Sequence, residues 1–278
     1  MKNTKKLWLI IAVIALIGFV VTTLSLTGCD NGNGACTHTG GAAATCTTAQ
    51  TCTKCSDVMQ AALGHQTIWS TYSTTTGHVG CNRSGCTGGL AKLGDTGPAG
   101  GKIIYVAPTV DGFEVTSTTA AFTTYIAYYL EAAPANAVGG TGAQTTMRWS
   151  TRSSSPYLDV TGTEEGLFSD RNNIGLGRNN TALIIAAEKE AYPSDTYIYA
   201  ALACDNYSVE GFNDWFLPSR DELDQLYIRR ADFGLSSGFF WSSSQNLDWS
   251  AWSRNFGDGI RYSRSKDNDE NVRPVRAF

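Results

Sequence analysis

Histidine and cysteine are scarce in the C-terminal part of this 278-residue chain. Residues 94–278 contain no histidine and one cysteine, Cys204. A serine–histidine–aspartate catalytic system within this region is therefore excluded, and so is a disulfide between two of its residues. Charged residues make up only 17 % of the chain, and the formal net charge is −4. This balance gives no broad basic surface, so no nucleic-acid partner is expected.

Glycine, serine and threonine are abundant instead, which is typical of a β-rich, loop-rich extracellular protein rather than a helical cytosolic one. The length is sufficient for one substantial domain with appendages. The chain divides into three segments of different composition, residues 1–28, 29–93 and 94–278.

The first segment has the features of a bacterial secretory signal. Three lysines fall within the first six residues, an apolar run follows at 7–21, and the sequence Leu-Thr-Gly-Cys occupies 26–29. This last sequence resembles a bacterial lipobox, which predicts a lipoprotein signal peptide at 1–28 and lipidation of Cys29. The alternative is a plain transmembrane anchor, but the run is shorter than the ~20 apolar residues that a span prefers. We therefore expect a lipid-anchored protein of the bacterial cell envelope, at the outer-membrane surface, with the membrane as a partner through the anchor.

The second segment, 29–93, is expected to be the lipid anchor and a threonine- and glycine-rich spacer. It contains all three histidines and, besides Cys29, the cysteines Cys36, Cys46, Cys52, Cys55, Cys81 and Cys86. Such a composition builds little hydrophobic core, so cross-links are expected. Disulfides are one possibility, and a tetrahedral zinc site is the alternative. The candidate zinc ligands are Cys36, His38, Cys52, Cys55 and His65. We favour disulfides or unpaired thiols, so neither a metal nor a cofactor is expected.

Residues 94–102, with the sequence GDTGPAGGK, open the third segment and have the composition of a phosphate-binding loop. The spacing does not fit, because Thr96 stands where that motif requires glycine. In addition, Ile103 follows Lys102 where serine or threonine would bind magnesium. The stretch therefore predicts a glycine-rich turn that leads into a β-strand.

Local patterns predict a mixture of strands and helices in the third segment. Strands are expected at 102–107, 112–117, 125–132, 239–244, 252–257 and 272–278, and helices from Asn180 or Thr181 to Ala191 and from Arg220 to Arg230. Ser219 and Glu222 have the spacing of a capping box at the start of the second helix. We therefore interpret Asp214, Asp221 and Glu222 as helix-capping and dipole-complementing residues, rather than as a carboxylate cluster for metal or acid–base chemistry.

The last forty residues alternate aromatic and polar side chains. The aromatic residues are Phe239, Phe240, Trp241, Trp249, Trp252 and Phe256. A mixture of rigid aromatics with interchangeable polar groups resembles an antibody paratope rather than a catalytic cleft. The candidate ligand-binding residues are Asn246, Leu247, Asp248, Ser250, Ser253, Ile260, Arg261, Tyr262 and Arg264. We expect Leu247, Ile260 and Tyr262 to form one solvent-facing patch, and we expect Trp241 and Phe256 to pack in the core with Trp252.

Five stretches of the third segment are similar to a known family. They are GDTGPAGGKIIYV at 94–106, GFNDWFLPSRDEL at 211–223, FFWSSSQ at 239–245, AWSRNFGDG at 251–259 and VRPVRAF at 272–278. The set resembles the C-type-lectin-like domains of the DUF1566 and Legionella collagen-like C-terminal family. More narrowly, it resembles the variable proteins of diversity-generating retroelements, of the treponemal variable surface lipoprotein type.

The resemblance implies an α+β, C-type-lectin-like fold of the formylglycine-generating-enzyme type, with antiparallel strands, about two helices and much irregular loop. That enzyme needs a pair of cysteines, and residues 94–278 have one, so its activity is not carried over. The calcium motif of animal lectins, Glu-Pro-Asn or Gln-Pro-Asp, is also absent, so calcium-dependent sugar binding is not expected.

In the variable proteins, error-prone copying of a template changes adenines in selected codons, so that the side chains of a ligand-binding face vary on a fixed scaffold. All the candidate residues named above are types that such changes in an AAC codon permit. Trp252, Lys266 and Glu270 are not, so they belong to the scaffold or are not templated. Trp249 is not reachable from that codon either, so we assign it to the scaffold despite its neighbours. The resemblance thus implies a non-catalytic surface lipoprotein with a diversified site for an extracellular protein or glycan. A fixed-specificity adhesin for a host glycan or protein and an envelope enzyme are the alternatives.

Overall fold

The computed structural model describes residues 40, 42–44, 49–51, 58–60, 67–82, 88–140, 144–151, 157–163 and 174–278. Contacts divide the chain into two compact units, one of Met1–Ala44 with Ala49–Ala61 and one of Thr45–Thr48 with Ala62–Phe278. The expected signal peptide, Cys29 and the candidate zinc ligands Cys36, His38, Cys52, Cys55 and His65 lie outside the described residues. No helix within the described ranges has the length and apolar character needed to cross a membrane.

The smaller unit contains one described ladder, in which β1 (Gln50–Thr51) and β2 (Val58–Gln60) are antiparallel. The described strands of the larger unit are β3 (Thr67–Ile68), β4 (Gly80–Cys81), β5 (Lys102–Val106), β6 (Phe113–Val115), β7 (Tyr125–Ala127), β8 (Tyr129–Ala132), β9 (Thr146–Met147), β10 (Phe239–Leu247), β11 (Ser250–Asn255), β12 (Arg261–Ser265), β13 (Glu270–Asn271) and β14 (Val275–Ala277). Its described α-helices are α1 (Gly177–Ala191), α2 (Ala200–Asp205) and α3 (Arg220–Ile228), with short 3-10 turns at Trp69–Thr71 and Arg230–Phe233. This combination confirms the α+β class.

The largest sheet has the strand order β12–β11–β10–β13–β9, so β12 lies at an edge. Its neighbouring strands are antiparallel except for β10 and β13. Successive residues of a strand face opposite sides of the sheet, and both sides of β10 are covered. Trp241 is buried in a core with Ile184 of α1, whereas Phe240 is buried in a core with Leu223 of α3. A second sheet has the order β14–β8–β5, so the strand β14 near the end of the chain lies beside β8, which also pairs with β5.

The start of α3 is as predicted. Ser219 Oγ accepts a hydrogen bond from Glu222 N at 3.3 Å, and Glu222 Oε2 accepts one from Ser219 N at 2.7 Å. The other carboxylate oxygen of Glu222 accepts from Gly175 N at 2.8 Å. Both oxygens are therefore engaged by backbone N–H groups, which confirms the interpretation of Glu222 as a capping residue.

Helix α1 and strand β12 differ from the prediction for physical reasons. α1 begins at Gly177 rather than at Asn180 or Thr181, because Thr181 Oγ1 donates to Gly177 O at 2.8 Å within the helix instead of capping its end. Residues 261–265, directly after the turn of Gly257, Asp258 and Gly259, form strand β12, which is not among the strands predicted from the sequence. This strand exists because of its pairing with β11, which local composition does not indicate.

Part of the segment expected to be a spacer packs within the larger unit. Val79 and Ala91 are buried in one apolar cluster with Ile103 and Tyr129. Ala91 N also donates a hydrogen bond to the Tyr129 hydroxyl at 2.9 Å. The compact unit therefore extends on the N-terminal side of Gly94.

The glycine-rich turn surrounds a buried carboxylate. Glu131 Oε1 accepts hydrogen bonds from the backbone N–H groups of Ala99 at 3.1 Å and Gly101 at 2.9 Å. A Cβ added at Gly97 would lie 2.3 Å from Glu131 Cδ, and one at Gly101 would lie 2.0 Å from Ala132 O. Glycine is therefore required at these two positions for close approach, and the interpretation of the stretch as a turn before a strand is confirmed.

We expect Gly101→Ala to lower the free energy of unfolding by about 1–3 kcal/mol, because the added methyl group overlaps a backbone carbonyl of β8. Urea denaturation followed by tryptophan fluorescence measures the change. Gly257→Ala is the matched control, since its nearest contact would be the Asn255 side chain at 3.2 Å. Equal stability of the two variants would contradict the role assigned to the turn.

Candidate ligand-binding surface

Most of the candidate ligand-binding residues lie on β10 and β12 and on the turns that join these strands to β11. We define residues 246–249 and 257–264 as the C-terminal surface. It comprises the turn between β10 and β11, the Gly257–Gly259 turn and most of the edge strand β12. Strand pairing determines which of its side chains are neighbours.

Leu247 and Ile260 are exposed, at 47 % and 53 %, but they lie at opposite ends of the sheet. Leu247 pairs with Ser250 at the start of β11, whereas Ile260 O accepts from Asn255 N at the end of β11. The five residue-to-residue steps of β11 between these two points span about 17 Å. Tyr262, which is half-buried, lies nearer the Ile260 end. The expectation that the three residues form one patch is therefore wrong, and the surface has two separate apolar points.

Alternation along β12 divides the candidate residues between the two faces of the sheet. Arg261 faces α3, where its guanidinium contacts the carboxylates of Asp221 and Asp224. Tyr262 faces the other side and packs edge-on against Phe239, with the ring centres 5.4 Å apart. The predicted set is thus not a single face.

Asp258 connects the Gly-Asp-Gly turn to β12. Its Oδ1 accepts from Ile260 N at 2.8 Å, and its Oδ2 accepts from the Tyr262 hydroxyl at 2.9 Å. The hydrogen bond to Asp258 raises the pKa of Tyr262, so the hydroxyl remains a donor. Gly259 has a φ of +75°, and a Cβ added there would lie 2.3 Å from the Tyr227 hydroxyl. The turn is therefore a fixed support for the side chains that follow it.

Arg264 pairs with a buried carboxylate. Its Nε donates to Glu270 Oε1 at 2.8 Å, and its guanidinium lies 4.3 Å from the centre of the Phe239 ring. Burial raises the pKa of Glu270, and the hydrogen bond and positive charge of Arg264 partly offset this effect. Arg264 therefore has a structural partner below the surface.

The two serines among the candidate residues of β11 lie beneath the surface. Ser250 is fully buried and Ser253 is 2 % exposed. Asn246 Nδ2 donates to Ser263 Oγ at 2.9 Å, and that hydroxyl donates to Ser250 Oγ at 3.0 Å. The residues that reach solvent are consequently fewer than the predicted set.

Trp249 is the residue whose position sequence reasoning missed. It was assigned to the scaffold because its codon is not reachable by adenine changes, but its side chain is 44 % exposed. It occupies the two-residue turn between β10 and β11 with Asp248, whose Oδ1 accepts from Trp249 N at 2.9 Å. No local signal in the sequence indicates this exposure, because it follows from the pairing of β10 with β11. The burial of Trp241, Trp252 and Phe256 is confirmed.

Lys266 is completely buried directly after β12. Its Nζ donates to Leu158 O at 2.6 Å and to Gln245 Oε1 at 2.5 Å, and it lies 4.4 Å from the centre of the Trp149 ring. This ammonium group ties the end of the edge strand to β10 and to the 157–163 segment. The scaffold assignment of Lys266 agrees with its burial.

No group of three or more histidine, cysteine, aspartate or glutamate side chains within the described part of the chain is placed to hold a metal ion. Cys204 is completely buried in the α1–α2 core, and burial raises the pKa of its thiol. A protonated thiol without solvent access is a poor nucleophile. Its role in the described core is packing.

Residues 141–276 match the family model of the Lcl C-terminal domain, a DUF1566-related family. A comparison with curated proteins finds no match. Among solved structures, a fimbrial protein from Bacteroides ovatus ATCC 8483 is similar, with a TM-score of 0.40 and 15 % identity. The similarity covers 68 % of this chain and 49 % of that chain, so this chain spans about half the length of that protein. The family match confirms, for residues 141–276, the resemblance to a DUF1566-related family that was drawn from the sequence.

We expect Arg264→Ser to destabilise the protein by an amount that increases with pH. In the unfolded state glutamate has an ordinary pKa of 4.5. When folding raises the pKa of a carboxyl, the folded state loses stability as the pH rises from the unfolded pKa through the folded pKa. Removal of Arg264 raises the folded pKa of Glu270 further and widens this interval. The loss is therefore small at pH 4 and reaches about 1–3 kcal/mol at neutral pH, measured by urea denaturation across the range.

Arg261→Ser is the matched control for this measurement. Arg261 is 40 % exposed on its side chain, and Arg254 still pairs with Asp224 in its absence. We expect a loss below about 1 kcal/mol that changes little with pH. A loss for Arg264→Ser that is the same at all pH values would contradict its coupling to Glu270.

Proposed function

We propose that this chain is a non-catalytic, lipid-anchored protein of the bacterial cell surface whose C-terminal surface binds an extracellular protein or glycan. We further propose that exposed positions of this surface are diversified by adenine-directed codon replacement. The match to the Lcl C-terminal domain and the secretory pattern of the N-terminus support a surface location. The retroelement-related motifs quoted from the sequence motivate the proposal of diversification.

The observation that carries the proposal is the separation of a buried aromatic frame from exposed turn residues. Trp241 and Phe256 are almost completely buried, whereas Leu247 and Ile260 are about half exposed, and Asp248 is exposed between Leu247 and the next strand. Substitutions at exposed turn positions usually change stability by less than about 0.5 kcal/mol. Side chains can therefore vary there while the backbone remains fixed.

The two exposed points of the surface differ in chemistry. Leu247 and Trp249 flank Asp248 on one turn, which places an apolar and an aromatic anchor beside a carboxylate. At the other end, Ile260 directly precedes Arg261 and Tyr262 in the chain. Aromatic and arginine anchors supply much of the energy of protein interfaces. The fixed turns reduce the entropy lost on binding.

A fixed-specificity adhesin is the second candidate, and the ion pairs of the surface favour it. Arg261 pairs with Asp221 of α3, and Arg264 pairs with the buried Glu270. Replacement of either arginine leaves a carboxylate without that partner. Substitution at these two positions therefore costs more stability than substitution at the turn residues. Positions restricted in this way are expected on a surface selected for one ligand.

The gene sequence distinguishes the two candidates. We expect a nearly identical repeat of the C-terminal coding region near the gene, differing from it at adenines and adjacent to a reverse-transcriptase gene. The differences should fall in the codons of Leu247, Asp248 and Ile260 and should spare those of Trp241 and Lys266. A genome without such a repeat would support the fixed adhesin instead.

Tolerance of the scaffold is tested directly with variants. We expect the triple variant Leu247→Ser, Asp248→Asn and Ile260→Ser to have a free energy of unfolding that differs from the wild-type value by less than about 0.5 kcal/mol per substitution. Its binding to an array of extracellular proteins and glycans should change. Trp241→Ser is the control for an intolerant position and should lose more than about 3 kcal/mol. An unchanged binding profile in the triple variant would argue against the C-terminal surface as the binding site.

A further inference from the structure

The larger unit contains a cleft that the C-terminal surface does not line. It consists of two adjoining cavities of about 360 Å³ and 520 Å³, and Arg178 and Asp214 line both of them. The first cavity lies along α1 and has an apolar wall that includes Phe122, Ala182 and Ile185. Volumes of this size are typical of sites for small organic ligands. We call this feature the Arg178 cleft.

The guanidinium of Arg178 is held in place at the junction of the two cavities. Its Nη1 donates to the Tyr125 hydroxyl at 3.1 Å, and its Cζ lies 4.6 Å from the centre of the Phe122 ring. Burial raises the pKa of Tyr125, so this hydroxyl stays neutral and donates in turn to Ala277 O at 3.1 Å. The position of the guanidinium is thus set by neutral groups before any ligand binds.

These contacts leave most of the N–H donors of Arg178 available. Within the described residues, its interactions are the hydrogen bond to Tyr125 and the stacking on Phe122 and Tyr125, and none is with a carboxylate. An arginine fork matches the geometry of a planar carboxylate. The cleft therefore contains a preorganised anion-binding group beside an apolar wall.

The second charged residue shared by the cavities does not neutralise Arg178 directly. Both oxygens of Asp214 accept hydrogen bonds from Arg276, at 2.8 Å from Nε and 3.0 Å from Nη2. Asp205 and Lys189 also line the first cavity and carry opposite charges. The two aspartates favour a ligand with one negative charge over a phosphate dianion, because like charges repel within a confined site.

We propose that the Arg178 cleft binds a small organic monocarboxylate, with its carboxylate on Arg178 and its apolar body against Phe122 and the α1 wall. This site is independent of the function proposed for the C-terminal surface, because it is lined by other residues. The ligand class follows from one available guanidinium, an adjoining apolar wall and two nearby carboxylates.

The test uses 3-phenylpropionate, which has a ring and one carboxylate, and its neutral amide as probes for the full-length protein. Saturation-transfer NMR and titration calorimetry should give a dissociation constant on the order of 1 mM for the carboxylate. The amide should bind at least about tenfold more weakly, because hydrogen bonds to a charged group are stronger. Equal binding of the two probes, or binding of neither, would overturn the proposal.

Variants locate the site. Arg178→Gln should weaken binding of 3-phenylpropionate by about tenfold or more, and Ala182→Leu should weaken it by filling the first cavity. Arg148→Gln is the matched control, because Arg148 also stacks on a tyrosine, Tyr197, at 3.9 Å but does not line the cleft. Arg148→Gln should bind as the wild type does. Binding that survives both cleft variants would place the ligand elsewhere and refute the assignment.

Discussion

The buried carboxylate of Glu131 is the constraint on which the larger unit depends. It accepts hydrogen bonds from the glycine-rich turn through Ala99 and Gly101, and Arg276 Nη1 lies 3.4 Å from its Oε2. Burial raises the pKa of Glu131, and Arg276 and the backbone N–H groups offset this. A buried charge is tolerated only when it is paired and hydrogen-bonded. The glycine-rich turn and the last strand are therefore both fixed against β8, and Arg276 extends the same network to Asp214 at the cleft.

The features that could be predicted depend on residues close together in sequence. The capping box of Ser219 and Glu222 spans four residues, and the glycines near 97 and 101 indicated a turn without reference to the fold. The features that could not be predicted depend on distant partners. Lys266 donates to Leu158 O, which is 108 residues away, and the exposure of Trp249 follows from the register of β10 and β11. Side chains alternate between the two faces of a strand, and such long-range pairings determine which face reaches solvent. Local sequence composition does not indicate these pairings.

Strand alternation also explains why a stretch of candidate residues is not a continuous binding face. Arg261 and Tyr262 are adjacent in sequence, but they contact α3 and Phe239 on opposite sides of the sheet. The turns differ from the strand in this respect, because their side chains need no partner across the sheet. Variation without loss of stability is therefore easiest at the ends of the hairpin, where Leu247 and Ile260 lie, and hardest where Arg264 meets Glu270.

The C-terminal surface and the Arg178 cleft place opposite demands on the same framework. If side chains of a surface are to vary, their replacement must leave no buried charge without its partner. The turn residues meet this condition. A cleft for one ligand class needs a charged group held by fixed partners, and Tyr125 and Phe122 hold Arg178 in this way. Arg276 and strand β14 reach the cleft through Asp214 and Ala277, and none of these residues belongs to the C-terminal surface. Replacement of the turn residues therefore leaves the contacts that position Arg178 unchanged, and the two proposed roles are compatible within one framework.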